Sequence, residues 1–367
     1  MNGTTRRTDI DTKQAILSGL IAELNCEAVV LLMPAHVAWF TGGMNVRGLI
    51  ADGERPGLYT NGRQRWLLCS NTDTQRLFDE ELDGLGFMLK EWPWPSGRAT
   101  LLGELVVGKK VATDRPFPTM PLVNEKLRPE LRPLLPSDVA RLRDLGGLVA
   151  HALEATARKM ERGESEEDVA GALAHRIFHK GAEAHAISVT AEGRAKSFRR
   201  AGYTPTTVET ACNLQVTASR DGLFVTASRT VCFGAPAANF RNEFDAACKV
   251  AAIDRLNSHP GGSIAVAVDT ASSLLKNTPY EHEWRLSPAG YGTGWFAADE
   301  LRKAGHDEKF VAEQAIVWQA RIGAAAVVDT VLVREGACES ITPTEQWPFK
   351  RITIGDEVFD IPDLLVL

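Results

Sequence analysis

A chain of 367 residues exceeds what a single hydrophobic core usually organises, so two domains are expected, each able to bury its own interior. Hydrophobic residues make up 44% and charged residues 24%, and the formal net charge of -6 gives no electrostatic case for nucleic acid or an anionic membrane surface, leaving a small molecule or a protein as partner. The 6 cysteines are scattered with no CxxC spacing and read as reduced core thiols, no apolar run has the length of a signal peptide or membrane span, and a cytoplasmic location is expected.

In chain order, AVVLLM from Ala28, GLYT, RWLLCS after Asn61-Gly62 and LLGELVVGKKVAT read as strand-like runs, with the helix-like TDTQRLFDEEL between them. This alternation predicts an α/β layer, and the proline-rich RPELRPLLPS closes it as a linker, so the first domain is placed at residues 1–136 and the second at 137–367. Val139, Leu142, Val149 and Leu153 then recur at helical spacing, and Ser165 with Asp168 forms a capping-box signature for a second helix. LQVTASRDGLFVTASRTVCFG, Leu214 to Gly234, predicts two strands joined at Asp221-Gly222, followed by helices near Asn242 to Asn257 and Ile264 to Lys276 and a closing β-run through AIVWQARIGAAAVVDTVLV. The second half is therefore α+β. GGSIAVAVD and AGYGTG lack the lysine or the βαβ context of phosphate loops and read as turns.

HVAWFTGG, LPSDVARLRDLGGLVAHAL, RGESEEDVAGALAHRIFHKGAEA, SRTVCFG and VVDTVLVREGACESIT, in this order, resemble the creatinase, aminopeptidase P and prolidase superfamily over nearly the whole chain. The resemblance implies a creatinase-like α/β domain followed by a C-terminal pita-bread domain, and for the metallopeptidases two metal ions held by two Asp, one His and two Glu. In this sequence the two Asp positions fall on Gln215 and Thr226, eleven residues apart as in the family; the His position falls on Ser287 or Pro288, and the Glu positions near Gln319 and on Val328. No anion remains among them, so no metal and no cofactor is expected. A branch of the superfamily that departs from the metal pattern is also only partly matched: Arg199-Arg200 stands for its Arg-His, LSPAGYGTGW for its paired His, and Trp318-Gln319-Ala320 for its Trp-Asn-Pro.

Creatinase, the metal-independent member, implies chemistry on a C–N bond of a small cationic substrate. Here the matching region offers Arg199, Arg200, Arg229, Gln215, Thr217, Thr226, Tyr291, Trp295 and Gln319, a set suited to a polar or anionic ligand through forked guanidinium contacts. Against that, Arg229 in a strand is also read as a structural partner of Asp329, and Trp295 and Trp318 as core or wall residues. For acid-base work, His282 between Glu281 and Glu283 is the candidate, with Arg200 beside it, and a surface turn is the competing reading; His185 is a further acid-base candidate. Cys212 and Cys232 read as core thiols rather than nucleophiles. The expectations are a metal-independent hydrolase-like enzyme acting on a small polar or amino-acid-derived substrate, or a non-catalytic binding or scaffold protein, with a conventional Xaa-Pro metallopeptidase the weakest. A homodimer is expected, in which the segment AWFTGGMNVRG, with Trp39, Phe40 and Arg47, reaches across to the other subunit's pocket; first-domain core is the competing reading of Trp39 and Phe40.

Overall fold

The computed structural model describes residues 3–46, 50–303, 306–344 and 346–367. They divide into two compact units, Met1–Asp138 and Val139–Leu367.

The first unit runs α1 (Gly3–Glu23), β1 (Ala28–Leu31), α2 (Pro34–Thr41), β2 (Gly57–Thr60), β3 (Arg65–Ser70), α3 (Thr74–Arg76), β4 (Met88–Trp92), α4 (Gly97–Leu105), β5 (Val111–Thr113) and α5 (Asn124–Leu127). Its five strands form one mixed sheet in the order β4-β3-β2-β1-β5. Proline at the first position of α2 needs no amide partner, and Gly42, with φ 63°, ends the helix by taking the left-handed conformation, its amide region closing on Ala38 and Trp39 carbonyls. The LLGEL stretch, expected as strand, lies in α4 because Leu101, Leu102 and Leu105 recur at helical spacing and cover the sheet core with Val30, Leu68 and Trp92. Only VAT of that run is strand.

Trp39 and Phe40 are buried in this unit, with Phe40 edge-on to Phe87 at 5.9 Å and the Lys13 ammonium 5.9 Å from the Trp39 ring. Of the two readings of these residues, first-domain core is the one that fits, and reaching outward is not: their apolar area is already spent in their own core. Arg47 lies outside the described residues.

Across the boundary, α6 (Pro136–Ala157) leads into α7 (Glu166–His179), β6 (Glu183–Ala191), α8 (Glu192–Ser197), β7 (Ala211–Arg220), β8 (Leu223–Cys232), α9 (Ala238–Leu256), α10 (Ile264–Leu275), β9 (Gly290–Gly292), β10 (Arg302–Lys303), β11 (His306–Asp307), β12 (Ala315–Ile322), β13 (Ala325–Leu332), β14 (Glu339–Ser340), β15 (Phe349–Ile354), β16 (Glu357–Pro362) and β17 (Leu365–Val366). Ser165 and Asp168 make the reciprocal capping box at the start of α7. Asp221 and Gly222, with φ of 50° and 75°, form the tight turn that pairs β7 with β8 in register Thr217 to Thr226.

Two four-stranded sheets result, β17-β8-β7-β6 and β14-β13-β12-β9. They meet where β8 touches β13: the Thr330 hydroxyl accepts from the Thr226 amide at 2.9 Å and donates to the Thr226 carbonyl at 2.8 Å. On the other side of β12 and β13, Ala320, Ile322 and Val327 pack against Phe244, Ala247 and Cys248 of α9. Period-two alternation therefore points Gln319 and Arg321 away from the helices and toward β7 and β8.

Candidate functional site

The positions assigned to metal ligands in the resemblance converge. Gln319 and Val328 are direct cross-strand partners on β12 and β13, and Thr217 faces Thr226 across the β7–β8 ladder with Gln215 two residues along the same face. What occupies this ground is neutral or positive. Nη2 of Arg321 donates to Oε1 of Gln215 at 3.0 Å, the Thr217 and Thr226 hydroxyls share a hydrogen bond at 2.8 Å, and the Tyr291 hydroxyl lies 3.5 Å from that of Thr226.

Arg321 was not singled out from the sequence, yet its guanidinium reaches the cluster through Gln215. Among the described residues no carboxylate pairs with it. Burial first, and then the neighbouring charge of Arg199, lowers its pKa from the ordinary guanidinium value. Burial raises the Tyr291 phenol, a shift opposed by hydrogen bonds to Thr226 and Thr217 and by the charge of Arg200. Arg200 itself is exposed. The signal that could have found Arg321 is the alternation of β12: a residue two places beyond Gln319 shares its face.

Arg199 and Glu283 form an ion pair at 2.6 Å, and both hold the β12–β13 turn: Arg199 donates to the Gly323 carbonyl at 2.9 Å, and Glu283 accepts from the Gly323 amide at 3.1 Å. Gly323 is in the left-handed region at φ 56°, and a Cβ there would meet the Glu243 carboxylate at 2.3 Å, so the turn requires glycine. The pair thus positions Arg321 two residues upstream. Glu283 is held in that clamp, and His282 is exposed on the turn preceding the short 3-10 helix Glu283–Arg285.

Arg229 and Trp295 are not part of the cluster. Arg229 is 2% exposed and donates to Asp329 at 3.2 Å and to the carbonyls of Ser228 and Thr342, with Glu154 at 3.5 Å. Its charge is satisfied by the interior, so the structural reading, including the Asp329 partner, is the one that fits. Trp295 is buried, with the Arg141 guanidinium 5.5 Å from its ring. Burial pushes the Cys232 thiol up to about 11 and the Cys212 thiol higher still, which makes both poor nucleophiles.

A dinuclear divalent site does not fit these side chains. Val328 has no donor, the Gln215 oxygen is already taken by a guanidinium that would repel a cation, and among the described residues no cluster of three or more His, Cys, Asp or Glu could hold a metal ion.

Neither a protein-family model nor a curated protein sequence matches the chain. Solved structures do. The dipeptidase PepE of Mycobacterium ulcerans superposes with a TM-score of 0.76 at 16% identity, covering 98% of each chain, and the prolidase of Pyrococcus horikoshii with 0.77 at 14% identity, covering 91% of this chain and 98% of that one. The chain has the pita-bread fold of these peptidases. A third pita-bread neighbour is the N-terminal domain of the FACT complex subunit SPT16 from chickpea, with a TM-score of 0.66 at 10% identity over 93% of this chain and 97% of that one. Among the described residues no helix is long and apolar enough to cross a membrane.

Proposed function

We propose that this pita-bread protein binds a small anionic, amino-acid-derived molecule without metal, using Arg321 as the primary contact. The observation that carries the reading is a half-buried guanidinium whose one side-chain partner among the described residues is the neutral Gln215, on the face where the metallopeptidases keep their metals. A carboxylate or phosphate oxygen would supply the charge that Arg321 lacks, in forked geometry, with Tyr291 and the Thr217–Thr226 hydroxyl pair as further donors and Gln319 on the same strand face. Arg200 adds an exposed cation near Tyr291.

As an enzyme, the protein would act on a C–N bond, the chemistry implied by creatinase. The donors around Arg321 suit stabilisation of developing negative charge on a carbonyl oxygen. Proton transfer would fall to His282, the exposed imidazole of the neighbouring turn. The second reading is a non-catalytic binding or scaffold protein. The commitment of Glu283 to Arg199 and Gly323 favours it, because the cluster then holds donors and no free carboxylate base. A homodimer and a cytoplasmic location complete the proposal.

Thermal-shift screening of N-acyl amino acids, dicarboxylates and free amino acids tests the anion site, since a ligand bound only by the native state raises the melting temperature. The expected result is stabilisation by at least one carboxylate compound that disappears in Arg321→Met. Stabilisation that persists in Arg321→Met, or none by any anion, contradicts the reading. Turnover of the stabilising compound, monitored as amine release, separates enzyme from binding protein.

A further inference from the structure

A cavity of about 560 Å³ lies between α6, α7 and the turn end of the β7–β8 hairpin, and it shares no lining residue with the Arg321 site. Arg143, Arg176, Lys180 and Arg220 line it against one carboxylate, Asp144. Two of these cations are already neutralised. Arg143 is bonded to Glu339 at 2.8 Å, and Arg220 pairs with Asp144.

Arg176 and Lys180 are not. Among the described residues neither has a carboxylate partner. Nε of Arg176 donates to the hydroxyl of Thr156 at 3.1 Å, that hydroxyl is 3% exposed, and it donates in turn to the Ala152 carbonyl at 2.8 Å. The guanidinium is thus held by a buried relay through one nitrogen, which leaves its two terminal nitrogens for another acceptor. Beside it, the rings of His175 and His179 stack at 6.0 Å with an interplanar angle of 21°, and His151 faces them from α6. Gly147, Leu148 and Ala152 provide an apolar floor.

The helix dipole accounts for basic residues in the last turn of α7. It does not account for Arg143 and His151 of α6 and Arg220 of β7 gathering on the same cavity. An unneutralised guanidinium and ammonium four residues apart on one helix, walled by imidazoles, suit several phosphate oxygens at once, and the volume is that of a small-molecule site.

We infer that this cavity binds a multiply charged phosphorylated small molecule, with Arg176 and Lys180 as its main contacts. The inference is independent of the anion site on β12. Titration calorimetry of the full chain with inorganic pyrophosphate and tripolyphosphate, at constant ionic strength, tests it. Saturable binding is expected, with affinity about tenfold weaker in Arg176→Ala and in Lys180→Glu. Lys180 is exposed at the end of α7, so Lys180→Glu should keep the wild-type melting temperature and remain a folded control. Absence of binding by either phosphate, or equal affinity in a folded Lys180→Glu protein, would each overturn the inference.

Discussion

Arg229, buried, and Arg321, half-buried, are both strand arginines of the second unit, and they are wired in opposite ways. On β8, Arg229 meets two carboxylates, Asp329 and Glu154, and two backbone carbonyls. On β12, Arg321 meets one side-chain amide among the described residues. A fully paired buried charge holds a fold together and is closed to ligands, whereas an underpaired one carries a desolvation cost that a ligand can relieve. The difference separates the structural side of the second unit from its candidate site.

The largest effect expected from this contrast is that of Arg229→Met, which leaves Glu154 with only the longer Arg158 pair at 3.6 Å and takes one of two donors from the Arg229-facing oxygen of Asp329. Urea denaturation should show a loss of about 3–5 kcal/mol. An unchanged midpoint would mean that the network is not a structural element.

Carboxylates divide the same way. Asp254 on α9 is 1% exposed and borders a cavity of about 30 Å³ beside Gln319 and Trp284; its Oδ2 has no hydrogen-bond partner, and burial raises its pKa well above 3.8. Because the folded value lies above the unfolded one, its contribution is fully present below about 3.8 and is lost as pH rises through the folded value. Asp254→Asn should therefore stabilise the protein at pH 8 by about 1–3 kcal/mol and flatten that decline. Denaturation midpoints at acid and alkaline pH check this, and a destabilised variant at pH 8 would contradict it.

Glu339 is the paired counterpart: hydrogen bonds from Arg143 and then Arg334 hold it down at about 2, against an ordinary 4.5. Its stabilisation is present above about 4.5 and lost as pH falls through about 2. The group is partly open to solvent, so Glu339→Gln should cost only about 1 kcal/mol at neutral pH, with acid unfolding less steep than in the wild type. An acid limb identical to the wild type would remove the assigned role.

The smallest stability effect is expected of Arg321→Met without ligand: within about 1 kcal/mol of neutral, or a gain, because Arg199 then loses a like charge. A loss approaching that of Arg229→Met would show that Arg321 is structural too, and would erase the contrast.

The sequence marked the scaffold more clearly than the site. The β7–β8 hairpin was legible from Asp221-Gly222, α7 from Ser165 and Asp168, and the missing metal ligands from Gln215, Thr226 and Val328, because turn chemistry, capping and side-chain identity are local properties. Arg321 was not legible, since its meaning comes from what it lacks, and an absent partner can be read only in three dimensions. The clamp that holds Glu283 was not legible for the complementary reason: its partners, Arg199 and Gly323, lie 84 and 40 residues away. LLGEL was misread because a short apolar run carries no period of its own, and only its packing on the first sheet selects helix.

The central claim is that the ground used for metals in the metallopeptidases here presents a guanidinium to an anion. Elemental analysis of the purified protein after dialysis against Mn²⁺, Co²⁺ or Zn²⁺ tests it most directly. No stoichiometric metal should be retained, because Gln215 is bonded to Arg321 and Val328 has no donor atom. Two ions retained per chain would contradict the account.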